Sequence, residues 1–150
     1  MTTSYTFTTS LSDQVLTASI VQNSEVYTNL NNPNIIYSIQ VNGYTSIGEN
    51  AFLNYSNIQE VNLNLFLTSI GNSAFNGCTK LLSFGNSEMN LQTIGDSAFE
   101  NCVLLNTITI SSSVQSIGNS AFKNCLNIYQ FTFGGAGSSL QTIGDSAFEN

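Results

Sequence analysis

The stretch Leu91-Gln-Thr-Ile-Gly-Asp-Ser-Ala-Phe-Glu-Asn101 returns, letter for letter, at Leu140 to Asn150. Looser copies stand at Thr45-Ser-Ile-Gly-Glu-Asn-Ala-Phe52, Thr68-Ser-Ile-Gly-Asn-Ser-Ala-Phe75 and Gln115-Ser-Ile-Gly-Asn-Ser-Ala-Phe122. All five share Ile-Gly-x-x-Ala-Phe, and the glycines Gly48, Gly71, Gly95, Gly118 and Gly144 are 23, 24, 23 and 26 residues apart. Self-similarity at this period marks a solenoid. A single unit cannot offset its own backbone entropy, roughly 1 to 2 kcal/mol per ordered residue. It must stack on its neighbours to bury its apolar side chains.

Within a unit, Ala98, Phe99, Cys102 and Leu105 fall at i, i+1, i+4 and i+7, which predicts about two turns of helix after Gly95. Gly95 is expected to give a sharp entry, Asp96 or Ser97 to cap the helix, and Ser97 with Glu100 to have the spacing of a capping box. The run Leu105-Asn-Thr-Ile-Thr-Ile110 then alternates as a strand, with Ile108 and Ile110 inward. Ile58 to Leu63, Leu81 to Asn86 and Ile128 to Phe133 repeat it. A shorter extended piece leads to each glycine: Leu67 to Ile70, Leu91 to Ile94, Val114 to Ile117 and Leu140 to Ile143. Phe84 to Asn90 and Phe133 to Ser139 carry insertions at one rim. Their Gly and Ser suit either a tolerated loop or a ligand-contacting one.

Residues 1–43 lack the signature and are expected to form an N-terminal β cap, leaving residues 44–150 for about five repeats. Tyr5 to Thr9, Gln14 to Val21 and Ile35 to Val41 read as strands. Tyr27 to Asn34, with the only proline, Pro33, reads as a turn or loop.

Composition narrows the partners. Only 7% of the 150 residues are charged, so Asn, Ser, Thr and Gln must cover the surface. The net charge of −7 sets nine acids against Lys80 and Lys123, which excludes a phosphate-neutralising groove and with it nucleic acid. The same shortage of cations removes attraction to anionic lipid. No apolar run approaches the ~20 residues of a membrane span, so no direct membrane insertion is expected. Met1 to Ile20 shows neither a basic start nor an apolar core, so no secretory signal is visible.

The pattern Ile-Gly-x-x-Ala-Phe-x-x-Cys-x-x-Leu-x-x-Ile-x-Ile, fullest from Ile94 to Ile110, resembles the BspA-like leucine-rich repeats over about residues 44 to 150. That resemblance implies an α/β solenoid, a right-handed superhelix of short parallel strands and short helices. It implies a ligand-binding concave face, no catalysis and no cofactor. It also implies a bacterial or protist surface protein that binds extracellular-matrix or host-surface protein, or mediates adhesion. The usual proline after the strand is replaced by Ser111-Ser112-Ser113. The pattern stops at Asn150 in mid-helix, which suggests a fragment or a shortened array, with an end open to self-association.

The face so implied consists of Glu60, Asn62, Ser83, Gly85, Thr107, Thr109, Gln130 and Thr132, the outward positions of the main strands. A protein or a glycan suits such polar rows, although outward strand positions must be polar for solubility in any case. A purely structural spacer is the alternative. Two other columns are weighed. Cys78, Cys102 and Cys125 share one repeat position, where rungs ~5 Å apart permit either disulfide bonding or buried packing. Glu49, Asn72, Asp96, Asn119 and Asp145 form a column of helix caps that could instead be a carboxylate pair of a glycan-acting enzyme or a calcium site.

Overall fold

The computed structural model describes residues 2–9, 14–29, 32, 34–85, 88–133 and 137–150. Here the alternating runs become two parallel sheets. The main sheet consists of β1 (Thr2–Thr8), β3 (Ile36–Asn42), β5 (Ile58–Leu63), β7 (Ser83–Phe84), β9 (Thr107–Ile110) and β11 (Gln130–Phe133), in that order. The second consists of β2 (Gln14–Leu16), β4 (Tyr44–Ile47), β6 (Ser69–Ile70), β8 (Thr93–Ile94), β10 (Ser116–Ile117) and β12 (Thr142–Ile143). Each coil gives one strand to each sheet, so the coil itself is the crossover that parallel pairing needs.

Both sheets cross residue 43 without a break, because β1 pairs with β3, β3 with β5 and β2 with β4. After β2 come helices α1 (Ala18–Gln22) and α2 (Glu25–Thr28), where later coils have turns. The strand expected over Gln14 to Val21 therefore ends at Leu16. The Thr17 Oγ1 accepts the Ile20 N–H at 3.4 Å and caps α1 instead. The loop expected over Tyr27 to Asn34 begins inside α2. Leu30, Asn31 and Pro33 lie outside the described residues, as do Asn86, Ser87 and 134–136 of the rim insertions.

The short helices expected after each glycine are not there. Among the described residues of 44–150, those segments are successions of turns. Ser97 (φ 53°) and Asn101 (φ 61°) take left-handed backbone, as do Asn50, Asn54, Ser73, Ser120, Asn124 and Ser146. One such residue ends a right-handed helix. The N–H groups then split by parity. Ala98, Glu100 and Cys102 donate three residues back, to Gly95, Ser97 and Phe99. Ser97, Phe99 and Asn101 donate forward into the next coil, to Asn119, Ala121 and Lys123, at 2.8, 2.7 and 2.9 Å. Backbone that a helix would satisfy internally is here spent joining coils.

Nor does Gly95 serve as a turn of special conformation. A Cβ on the equivalent Gly118 would lie 2.4 Å from Asp96 Oδ1 and 2.5 Å from Asp96 N. The glycine column is where one coil's backbone passes against the next. Inside, Phe52, Phe75, Phe99, Phe122 and Phe148 stack with successive centroids 5.1, 5.2, 5.2 and 5.3 Å apart. Leu67, Leu81, Leu91, Leu105, Ile108 and Ile117 fill the rest of the buried column.

Candidate recognition face

Strand alternation puts Val61, Phe84, Ile108 and Ile110 in the core and leaves their neighbours outward. Register then builds the face. Ser38, Glu60, Ser83, Thr107 and Gln130 pair in one row across five strands. Gln40 pairs with Asn62, and Thr109 with Thr132, in the row beside it. Glu60, Asn62, Ser83 and Gln130 are exposed, and Thr107, Thr109 and Thr132 half-buried.

The rows also run toward the N-terminus, through pairs Ser4 with Ser38 and Thr6 with Gln40. Taking residues 1–43 as a cap hid these positions. Within the face, Ser38 Oγ donates to Glu60 Oε2 at 3.2 Å, and Thr107 Oγ1 donates to Asn106 Oδ1 at 2.9 Å. Gln130 Nε2 donates to Thr132 Oγ1 at 3.4 Å. The side chains are partly held before any ligand arrives, which lowers the ordering cost of binding.

Gly85 stands apart from its seven companions. It lies beyond the two-residue β7 at φ +84°, and a Cβ there would sit 2.0 Å from the Thr109 carbonyl oxygen. Its lack of a side chain is a steric requirement of the rung. The gap leaves a groove of about 170 Å³ between Asn62, Leu63, Gly85 and Met89.

Two aromatic side chains near the face escaped the sequence reading. Tyr129 is 76% exposed, immediately before β11, and Phe66 is 69% exposed in the loop after β5. Leu126 and Leu104, also exposed, precede Tyr129 and Thr107 along the same rim. The only signal in the sequence is positional. Tyr129 holds the place of Gln59, Leu82 and Asn106, one residue before the outward row; the other three are half-buried, whereas Tyr129 is exposed.

The other two columns resolve into structure. The three thiols are free and buried. Cys78, Cys102 and Cys125 donate from Sγ to the carbonyls of Phe52, Phe75 and Phe99 at 3.2, 3.2 and 3.1 Å. Burial pushes all three thiols up, Cys125 to about 12, so they are poor nucleophiles and poor metal ligands.

The Asn and Asp column caps no helix. Asn72, Asp96 and Asn119 each use Oδ1 to accept the N–H of the next member, Asp96, Asn119 and Asp145, at 2.9, 2.7 and 2.8 Å. Glu49, one methylene longer, is outside this ladder. Among the described residues no group of three or more Cys, Asp or Glu is arranged to hold a metal. No helix among them is long and apolar enough to cross a membrane.

The model of the BspA type leucine-rich repeat region matches residues 22–150 in six copies. That match starts inside the segment expected to be a cap. Two solved structures share the fold. The leucine-rich repeat protein of T. pallidum is 27% identical, with a TM-score of 0.67 over 75% of this chain and 53% of its own. A leucine rich cell surface protein of Faecalibacterium prausnitzii A2-165 is 27% identical, with a TM-score of 0.67 over 81% of this chain and 32% of its own. The chain thus spans about half of the first and a third of the second. No curated protein matches it. Repeats, sheets and likeness agree: the chain belongs to the BspA-type leucine-rich repeat family.

Proposed function

We propose that this chain is a non-catalytic interaction module that binds a protein through the outward face of its main sheet, in cell or matrix adhesion. The observation that carries the reading is the in-register row Glu60, Ser83, Thr107 and Gln130, with Tyr129 exposed at its edge. Nearly uncharged rows of hydroxyl and amide groups offer hydrogen bonds without an electrostatic preference. An exposed tyrosine supplies the amphipathic anchor on which protein interfaces rely. The likeness to a cell surface protein of Faecalibacterium prausnitzii supports an extracellular setting. A glycan is the second ligand class suited to such rows.

Capture from a panel of purified extracellular-matrix and cell-surface proteins and glycans tests this. The wild-type chain should retain a partner that Thr107→Lys with Thr109→Lys loses at unchanged circular dichroism. Capture by neither would favour a structural spacer. Turnover of any glycan in the panel would overturn the non-catalytic reading.

A further inference from the structure

The second row of the main sheet has one position without a side chain. The pairs Glu60 with Ser83 and Ser83 with Thr107 fix the register of β7. Two residues on, the same register sets Gly85 between Asn62 and Thr109, but β7 has already ended at Phe84. β5 therefore pairs with β3 as far as Leu63 and with β7 only at Glu60. β9 likewise pairs with β11 as far as Ile110 and with β7 only as far as Ile108. The sheet is interrupted in mid-array, away from both of its ends. The fold keeps it so, because a Cβ at Gly85 would meet the Thr109 carbonyl oxygen at 2.0 Å.

The notch of about 170 Å³ at this break has the buried Val61 and Met89 and the half-buried Leu63 as apolar walls. Asn62 is exposed beside them, and its amide makes no side-chain hydrogen bond among the described residues. The loop after β5 is fixed at one edge. Asn64 Oδ1 accepts the Phe66 N–H at 2.7 Å, while Asn64 Nδ2 donates to the Val41 and Tyr44 carbonyls at 3.1 and 2.9 Å. Asn90, next to Met89 of the wall, donates to the Leu65 carbonyl at 2.9 Å. The loop so held carries the Phe66 ring, 69% exposed.

We infer that this notch binds one neutral sugar ring of a glycan. The Asn62 amide offers a donor and an acceptor side by side, which suits two neighbouring hydroxyls. The Phe66 ring offers a flat apolar surface for the C–H face of the same sugar. The notch is well below the roughly 300 to 1,000 Å³ of a pocket that encloses a drug-sized ligand, so it takes a single ring while the rest of the glycan lies outside. A fixed loop also leaves little to order on binding.

Charge decides which sugars fit. Glu60 stands two residues before Asn62, Glu88 precedes Met89, and neither of the chain's cations, Lys80 and Lys123, lines the notch. A carboxylated or sulfated sugar would meet like charge with nothing to neutralise it. An apolar protein side chain would instead cover the Asn62 amide without giving it a hydrogen bond, which is costly. The inference does not rest on protein binding by the rows of the sheet, and its test is separate.

Titration of the isotope-labelled chain, followed by nuclear magnetic resonance, provides that test. The probes are purified oligosaccharides of glucose, galactose, mannose and N-acetylglucosamine, with sialyllactose as the acidic comparison. At least one neutral probe at millimolar concentration should shift the amides of Asn62, Leu63, Gly85 and Phe66. Asn62→Ala and Phe66→Ala, both at exposed positions and expected to keep the parent's circular dichroism, should each weaken that probe by about tenfold or more. No shift at the notch with any neutral probe would overturn the inference. So would unchanged binding in either variant, or sialyllactose binding as tightly as the neutral sugars.

Discussion

The rings of Phe99 and Phe122 lie 5.2 Å apart and within 3° of parallel. Phe99→Ala should therefore empty a site enclosed on both sides, costing about 3 to 5 kcal/mol. Phe148→Ala, at the partly exposed end of the same stack, should cost much less. Urea denaturation of the two variants orders them. Equal losses would mean that the stack does not transmit packing between coils.

The turns make an opposite demand on side-chain shape. At Ser97 the backbone has φ 53°, which glycine adopts freely and β-branched residues resist. Ser97→Gly should stay within about 1 kcal/mol of the parent, and Ser97→Val should lose about 1 to 2 kcal/mol or more. Thermal melts followed by circular dichroism measure both.

The repeat period, both strands of each coil and the inward Ile and Phe were legible because they obey local alternation. The turns were misread because Ala98, Phe99, Cys102 and Leu105 have helical spacing in the sequence. Yet Phe99 finds its acceptor, Ala121, in another coil, and no local pattern encodes a partner in the next coil. Gly77 was the available hint. It stands where other units have Asn54, Asn101 and Asn124, and all four take positive φ. Of the face, the strand positions were readable from alternation, whereas Gly85 was not. Its constraint is the approach of the Thr109 carbonyl, a contact set by register.

The cysteine column predicts both reactivity and pH dependence. Native Cys78, Cys102 and Cys125 should resist a thiol reagent that labels all three in urea, since each is buried and donates to a carbonyl. In the unfolded chain a thiol loses its proton near 9.0, whereas burial holds Cys125 to about 12. Burial likewise lifts Tyr55 from 10.0 to about 12. Between those limits the unfolded state binds fewer protons, so stability is full below pH 9 and falls as pH rises toward 12. Urea midpoints measured across that window should decline steadily. A flat profile would contradict the buried, protonated thiols.

Tyr55 replaces cysteine in the first full unit, and its buried hydroxyl has no hydrogen-bond partner among the described residues. Tyr55→Phe should consequently be neutral or stabilise the chain by about 1 kcal/mol. A clear loss in urea midpoint would show that the hydroxyl is bonded after all.

The proposal that the main sheet is the recognition face is tested most directly by titrating a captured partner against three versions of the chain. The first is the parent, the second carries Thr107→Lys and Thr109→Lys on the main sheet, and the third carries Ser116→Lys and Thr142→Lys on the second sheet. Both pairs add the same charge, the first within β9 of the main sheet and the second across β10 and β12 of the other sheet. The main-sheet pair should weaken binding by about tenfold or more, about 1.4 kcal/mol or above, while the second-sheet pair binds like the parent. Loss confined to the second-sheet pair, or parent-like binding by both, would contradict a recognition site on the main sheet.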